Sequence, residues 1–204
     1  MPVDRPARRV VLASGNAGKL AEIRSLLVGT GLHVLPQSEF AIAEVDETGL
    51  TFVENAILKA RAACAGAELP AIADDSGLEV DHLHGAPGVR SARFAGAGCS
   101  DEDNNKLLLE KLQGVPEAER GARFRCVMVY LRHARDPAPV ICEGVWEGRI
   151  GMRPSGEGGF GYDPLFVPSG SAQSAACMVP EEKNRHSHRG QALRQLVAAM
   201  TPVG

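Results

Sequence analysis

A short apolar run, Val10-Val11-Leu12-Ala13, passes through the small polar stretch Ser14-Gly15-Asn16-Ala17-Gly18 into Leu20, Ile23, Leu26 and Leu27 at helical spacing. A buried strand that turns so tightly into an amphipathic helix points to an α/β fold, because the helix must lay its apolar stripe back on the sheet. Gly29 and Gly31 end the helical pattern. His33-Val34-Leu35, ahead of Pro36, predicts a second strand. Thr51 and Glu54 have capping-box spacing, which predicts a helix from Phe52 to Ala65. Leu69 to Ala73 reads as a strand that ends in Asp74-Asp75. Residues 81–99, rich in Gly and Pro, read as a long ordered loop that takes in His82 and His84. Ser100 can cap a helix carrying Leu107, Leu108, Leu109 and Leu112. Phe124 to Leu131 and Val140 to Ile150 are β-rich and predict an antiparallel pair. A Gly-rich loop from Gly156 to Gly161 leads into YDPLFVP, and an amphipathic helix is expected from about Arg189 to Met200. The pattern is one α/β unit, with an antiparallel hairpin joined to a sheet flanked by helices.

The 204 residues suit a single domain with a substantial core. A net charge of −3 provides no bulk basic field for nucleic acid. A polyanion must then be held by a local cluster of cations or through a metal. Five widely spaced cysteines without a C-x-x-C pair are expected to be reduced thiols in a cytoplasmic protein. The N-terminal apolar run is too short for a signal peptide, and no run approaches the roughly 20 residues of a membrane span.

Four stretches can carry chemistry. In SGNAGK, Ser14 to Lys19, a strand-loop-helix junction exposes backbone N–H groups that suit phosphate, with Lys19 as a point charge. It also reads as a plain tight turn. The P-loop spacing is broken, and Leu20 stands where a P-loop has its metal-binding hydroxyl. The carboxylates Glu47, Asp74 and Asp75 are hard oxygen ligands suited to Mg²⁺ or Mn²⁺. A divalent ion would relieve the repulsion between adjacent Asp74 and Asp75, and the simpler reading is a turn cap and a solvated acid. Lys183, Arg185, His186, His188 and Arg189 concentrate positive charge, which suits either a phosphate or base contact or a solvated basic face. In GGFGYDPLF, glycines flank Phe160 and Tyr162 follows, so the stretch offers a flat ring something to stack on, or is a turn around one buried Phe.

Five blocks, SGNAGKLAEI, DETGLTFVENAILKA, ADDSGLEVDHLHGAPGVRSARFAG, GGFGYDPLF and SHRGQAL, resemble in order the signature blocks of the inosine/xanthosine triphosphate pyrophosphatases and span residues 14–193. Ser14 stands where Thr is frequent in that family. The resemblance implies an α/β fold with a long, twisted, mixed β-sheet flanked by helices, and a single domain over 1–204 in two lobes with an active-site cleft between them. It implies Mg²⁺-dependent cleavage of ITP, dITP or XTP to the monophosphate and pyrophosphate by a cytoplasmic homodimer; from the charge and the short apolar runs no nucleic acid or membrane partner is expected. Under it, Ser14, Gly15, Asn16, Ala17, Gly18 and Lys19 cradle phosphates. Glu47 and Asp75 bind Mg²⁺ (Mn²⁺ as a substitute) with Asp74 assisting, and Asp75 is the general base. Lys59 reaches the phosphates and Ser76 contacts substrate. Phe160, Gly161, Tyr162 and Asp163 form the base platform, while Lys183, His188 and Arg189 hold the base and neighbouring groups. Rival readings are a Maf-type pyrophosphatase acting on other nucleotides, a non-catalytic nucleotide sensor, and a P-loop kinase or ATPase, the last disfavoured by the broken spacing.

Overall fold

A computed structural model of the chain describes residues 8–43 and 45–200, with the side chain of Ala17 also outside the described set. Among the described residues six strands form one mixed sheet in the order β2-β1-β3-β4-β5-β6. They are β1 (Arg8–Ala13), β2 (Leu32–Pro36), β3 (Ala71–Val80), β4 (Gly121–Leu131), β5 (Val140–Ile150) and β6 (Phe166–Pro168). β1 runs parallel to both β2 and β3, with Val11 to Ala13 in register with Ala71 to Ala73, whereas β5 and β6 are antiparallel. The helices are α1 (Ala17–Leu27), α2 (Phe52–Ala67), α3 (Asp101–Lys111), α4 (Pro180–His186) and α5 (His188–Met200). The mixed, helix-flanked sheet bears out the expected fold class.

The chain partitions into two compact units. One comprises the chain up to Asp75, Val127–Cys142 and the chain from Ala192; the other comprises Ser76–Cys126 and Glu143–Gln191. In the first unit the buried residues of β1 (Val10, Val11, Leu12), α1 (Ile23, Leu27) and α2 (Ala56, Ala60, Ala63) form the core. The alanines give α2 a narrow apolar stripe, and Thr51 starts it with a full capping box: its hydroxyl accepts the Glu54 N–H while Glu54 accepts the Thr51 N–H. In the second unit Leu78, Val80, Leu108, Leu112, Phe124, Trp146, Ile150, Leu165 and Phe166 make one apolar cluster.

One expectation needs correction, and the structure adds elements that the sequence does not predict. Asp74 and Asp75 do not end a strand but sit in the middle of the ten-residue β3, which continues through buried Leu78 and Val80. The pair of acids interrupts the apolar run, and the period-2 signal resumes only beyond them. The Gly/Pro-rich segment holds two short 3-10 turns, at Asp81–Leu83 and Gly88–Arg93. The last helix is preceded by α4 and by the short strand β6 in YDPLFVP, neither of which was expected. All five cysteines are free thiols, with Cys64, Cys126 and Cys142 buried and Cys177 exposed. Among the described residues no helix is long and apolar enough to cross a membrane.

Candidate active site

In the first unit β1 delivers Ser14 to a loop that ends at Asn16, the N-cap of α1. The Asn16 carboxamide oxygen accepts the Lys19 N–H at 3.0 Å, and the Ser14 hydroxyl accepts the Asn16 N–H at 3.3 Å. Gly15 and Asn16 are exposed, and the first turn of α1 carries no acidic residue. No acidic side chain of that turn itself competes with an anion for the N–H groups at this end of α1. The side chain of Ala17 lies outside the described residues.

Asp74 and Asp75 are 1% and 4% exposed, and two lysines divide the pair between them. Lys19 Nζ lies 3.2 Å from Asp74 Oδ2, and Lys59 Nζ lies 2.9 Å from Asp75 Oδ1. The same Lys59 ammonium donates to Glu47 Oε1 at 2.8 Å. A residue that sequence reasoning missed completes the group: fully buried Asn55 donates to Asp75 Oδ2 at 3.3 Å and accepts the Gly49 N–H at 2.8 Å. Its signal is spacing, since Asn55 precedes Lys59 by one helical turn and shares its face of α2. Gly49 is held to glycine by this approach, because a Cβ there would lie 2.7 Å from Asn55 Oδ1 and 2.6 Å from Glu54 Cβ.

Burial, the largest influence, pushes the Asp75 carboxyl above its ordinary 3.8; Lys59 pulls it down and Glu47 pushes it up. Burial also disfavours the Lys59 ammonium, but Asp74, Asp75 and Glu47 outweigh it and hold that group above 10.5. The sign for Asp75 follows from linkage. A carboxyl whose folded value is raised stabilises the fold below its unfolded value, and that contribution is lost as pH rises through the folded value. The stability of metal-free Asp75→Asn relative to wild type is therefore expected to increase as pH climbs through and just above the carboxylate range, then level off. Urea unfolding of both proteins at a series of pH values checks this, and a gap that moves the other way would contradict the burial argument.

The same atoms test whether a metal fits. Glu47 Oε1 and Asp75 Oδ1 already bracket one cation, the Lys59 ammonium. Magnesium is usually held by one or two carboxylates, with waters and substrate phosphates completing its shell. Among the described residues no three His, Cys, Asp or Glu side chains converge as a closed metal shell. The donor set therefore suits a hard divalent ion that arrives with phosphate oxygens.

In the second unit a cluster forms around the loop before β6. Asp163 Oδ2 accepts the Phe160 N–H at 2.9 Å and pairs with Lys183 Nζ at 2.6 Å. A Cβ on Gly159 would collide with Asp163 Oδ2, so this position admits only glycine. Half-buried Phe160 has Lys183 Nζ 5.0 Å and the Arg189 guanidinium 5.4 Å from its ring centroid. Arg189 also donates to the Ser76 hydroxyl at 3.1 Å. Gly161 adopts φ +62°, and the Tyr162 hydroxyl donates to the Ser91 carbonyl at 2.9 Å, with burial raising its pKa. Tyr162 thus faces inward as a support beneath the loop. His188 stacks on Phe124 with ring centroids 4.8 Å apart and planes at 12°. Lys183, His188 and Arg189 are all buried, whereas Arg185 and His186 are exposed. The basic stretch is thus not one solvated face. His82 and His84 are exposed loop residues.

The expected residues thus gather as two clusters, one in each unit. The first holds Ser14, Asn16, Lys19, Glu47, Lys59, Asp74 and Asp75, and the second holds Ser76, Phe160, Asp163, Lys183 and Arg189. Comparison with known proteins adds the following. A dITP/XTP pyrophosphatase of Thioalkalivibrio sulfidiphilus is 60% identical over 189 residues, covering 93% of this chain and 96% of its own. A dITP/XTP pyrophosphatase of Escherichia coli O157:H7 is 54% identical over 193 residues, covering 95% and 98%. The solved structure of a HAM1 protein from Coxiella burnetii superposes with a TM-score of 0.88 at 48% identity, covering 95% of this chain and 98% of that one. The model of the Ham1 family matches residues 10–199. With agreement of this extent in sequence and in fold, the chain belongs to the Ham1 family.

Proposed function

We propose that this protein is a Mg²⁺-dependent pyrophosphatase for deaminated purine nucleoside triphosphates, converting ITP, dITP or XTP and water to the nucleoside monophosphate and pyrophosphate. The observation that carries the reading is the Lys59 ammonium seated between Glu47 and Asp75, next to the Lys19–Asp74 pair and the open end of α1. Buried acids matched by lysines that can turn to a polyanion supply what attack at an α-phosphorus needs: a proton acceptor, counter-charges for the leaving group, and a fixed line of approach. Asp75 holds the attacking water and takes its proton. Lys19, Lys59 and the N–H groups of residues 15–18 stabilise the charge that builds on the departing pyrophosphate. Glu47 and Asp75, with Asp74 assisting, would hold the magnesium ion, which neutralises phosphate charge and offers its own positive field to the leaving group. Mn²⁺ is the expected substitute.

The second cluster supplies base recognition. Phe160 presents its ring to a purine, Asp163 and Lys183 fix that loop, and Arg189 supplies donors beside Ser76. A donor that pairs with the 6-oxo group of hypoxanthine or xanthine meets an amino group in ATP, and an unpaired buried polar group costs ~1–3 kcal/mol. Sites built on such hydrogen bonds discriminate by about 10⁴ when several act together. We further propose a homodimer working in the cytoplasm, in line with the resemblance of its signature blocks.

The deciding measurement is turnover of ITP, dITP, XTP, ATP and GTP by the purified protein with Mg²⁺, with monophosphate, pyrophosphate and orthophosphate scored separately. The expected result is equimolar monophosphate and pyrophosphate from the first three, with kcat/KM for ITP far above that for ATP. Orthophosphate as the product, or equal kcat/KM for ITP and ATP, would remove this reading. Binding of ITP without any product would instead describe a sensor.

A further inference from the structure

We propose that Asp101 and Asn105, on α3, position the purine platform by gripping the Gly161 peptide; the inference rests on the reading that the Phe160 loop receives the base. Asp101 Oδ2 accepts the Gly161 N–H at 2.6 Å, and Asn105 Nδ2 donates to the Gly161 carbonyl at 2.8 Å. The two residues are one helical turn apart, so their side chains leave the same face of α3. Between them they hold the donor and the acceptor of a single residue. Gly161 has φ +62°, a left-handed conformation that costs glycine little. Fixing both of its backbone polar groups limits rotation about its Cα. That sets the direction of the preceding Phe160 ring, whose own N–H is already tied to Asp163.

The local chemistry of α3 leaves these side chains available. Its N-terminus is closed by a separate capping box, in which the Ser100 hydroxyl accepts the Asp103 N–H at 3.1 Å and Asp103 accepts the Ser100 N–H at 2.9 Å. Asp101, at the first helical position, is not used by that cap. Asn105 is 8% exposed, and its Oδ1 has no hydrogen-bond partner among the described residues. A buried amide oxygen left unsatisfied is destabilising. Packing alone would favour Leu here, one turn before fully buried Leu108 on the same helix. A residue kept against the packing preference points to a role outside packing, and among the described residues the Asn105 amide donates to the Gly161 carbonyl.

The test compares wild type with Asn105→Leu, Asp101→Ala and Asp101→Asn, measuring kcat and KM for ITP and ATP with Mg²⁺ together with thermal unfolding. Asn105→Leu is expected to melt at or above the wild-type temperature, while its kcat/KM ratio for ITP over ATP falls about tenfold, with the loss in KM for ITP and not in kcat. Asp101→Ala should show the same split. Asp101→Asn keeps an acceptor for the Gly161 N–H and should restore most of the ratio. Wild-type discrimination combined with unchanged KM and ratio in Asn105→Leu overturns this inference alone, as does a variant that loses only thermal stability. A wild-type enzyme that treats ITP and ATP alike overturns the base-binding reading, and this inference with it.

Discussion

Asp75→Asn is expected to lose about three orders of magnitude in kcat for ITP while keeping its fold. Removal of a positioned general base typically costs 10²–10⁴-fold, and here the same carboxylate would also hold the water. Asn is isosteric with Asp, and its amide oxygen still accepts from Lys59, which keeps Glu47 as a charged partner at 2.8 Å. The Asn amide nitrogen would replace the oxygen that accepts from Asn55, so the variant is expected to lose about 1–3 kcal/mol of stability and stay folded. Steady-state pyrophosphate release gives the kinetic side, and circular dichroism with a thermal melt gives the structural side. A kcat within a few-fold of wild type would strip Asp75 of its assigned role. Collapse of the melt together with activity would show the residue to be structural.

Lys183→Met is expected to be the most destabilising single change in the second unit. The Lys183 and Asp163 side chains are 7% and 4% exposed, and their charged atoms lie 2.6 Å apart. Methionine fills a similar volume but takes the ammonium away from a buried carboxylate. Breaking such a pair from one side costs about 3–5 kcal/mol, because the remaining charge stays in a poorly solvating place. For a chain of this size each kcal/mol corresponds to roughly 2–4 °C in Tm, which gives a fall of roughly 6–20 °C. The double variant Lys183→Met/Asp163→Asn should recover most of it, since Asn still offers an acceptor to the Phe160 N–H without a charge to bury. A single variant that melts within a degree or two of wild type would mean that the pair is well hydrated.

What could be read in advance follows from how local each signal is. The capping boxes at Thr51 and Ser100 are complete within four residues, so the starts of α2 and α3 stood in the letters themselves. The β1-loop-α1 junction was equally legible, because both periodicities lie on either side of one short turn. Adjacent acids ordinarily mark a strand's end, which is why Asp74 and Asp75 read as one. Only their partners, Lys19 on α1 and Lys59 on α2, let them sit mid-strand in the interior. The short helix α4 carries no apolar period, and its Pro180, two glutamates and basic end look like a loop. Polarity alone allows Lys183 and Arg189 a place in water, whereas the carboxylate that neutralises Lys183 comes from twenty residues earlier. Asn105 belongs to no recognisable pattern and Asn55 shows only its one-turn spacing from Lys59, because what makes each of them matter is a neighbour supplied by folding.

The tethered ammonium of Lys59 has one more implication. A nest of buried acids would ordinarily make a protein lean on its ion to stay folded, as small metal-dependent domains do. Here the counter-charge is covalently part of the chain, so the acids are matched without any ion and the scaffold does not depend on one. On the proposed magnesium dependence, a cell short of the ion would hold such a molecule idle but intact.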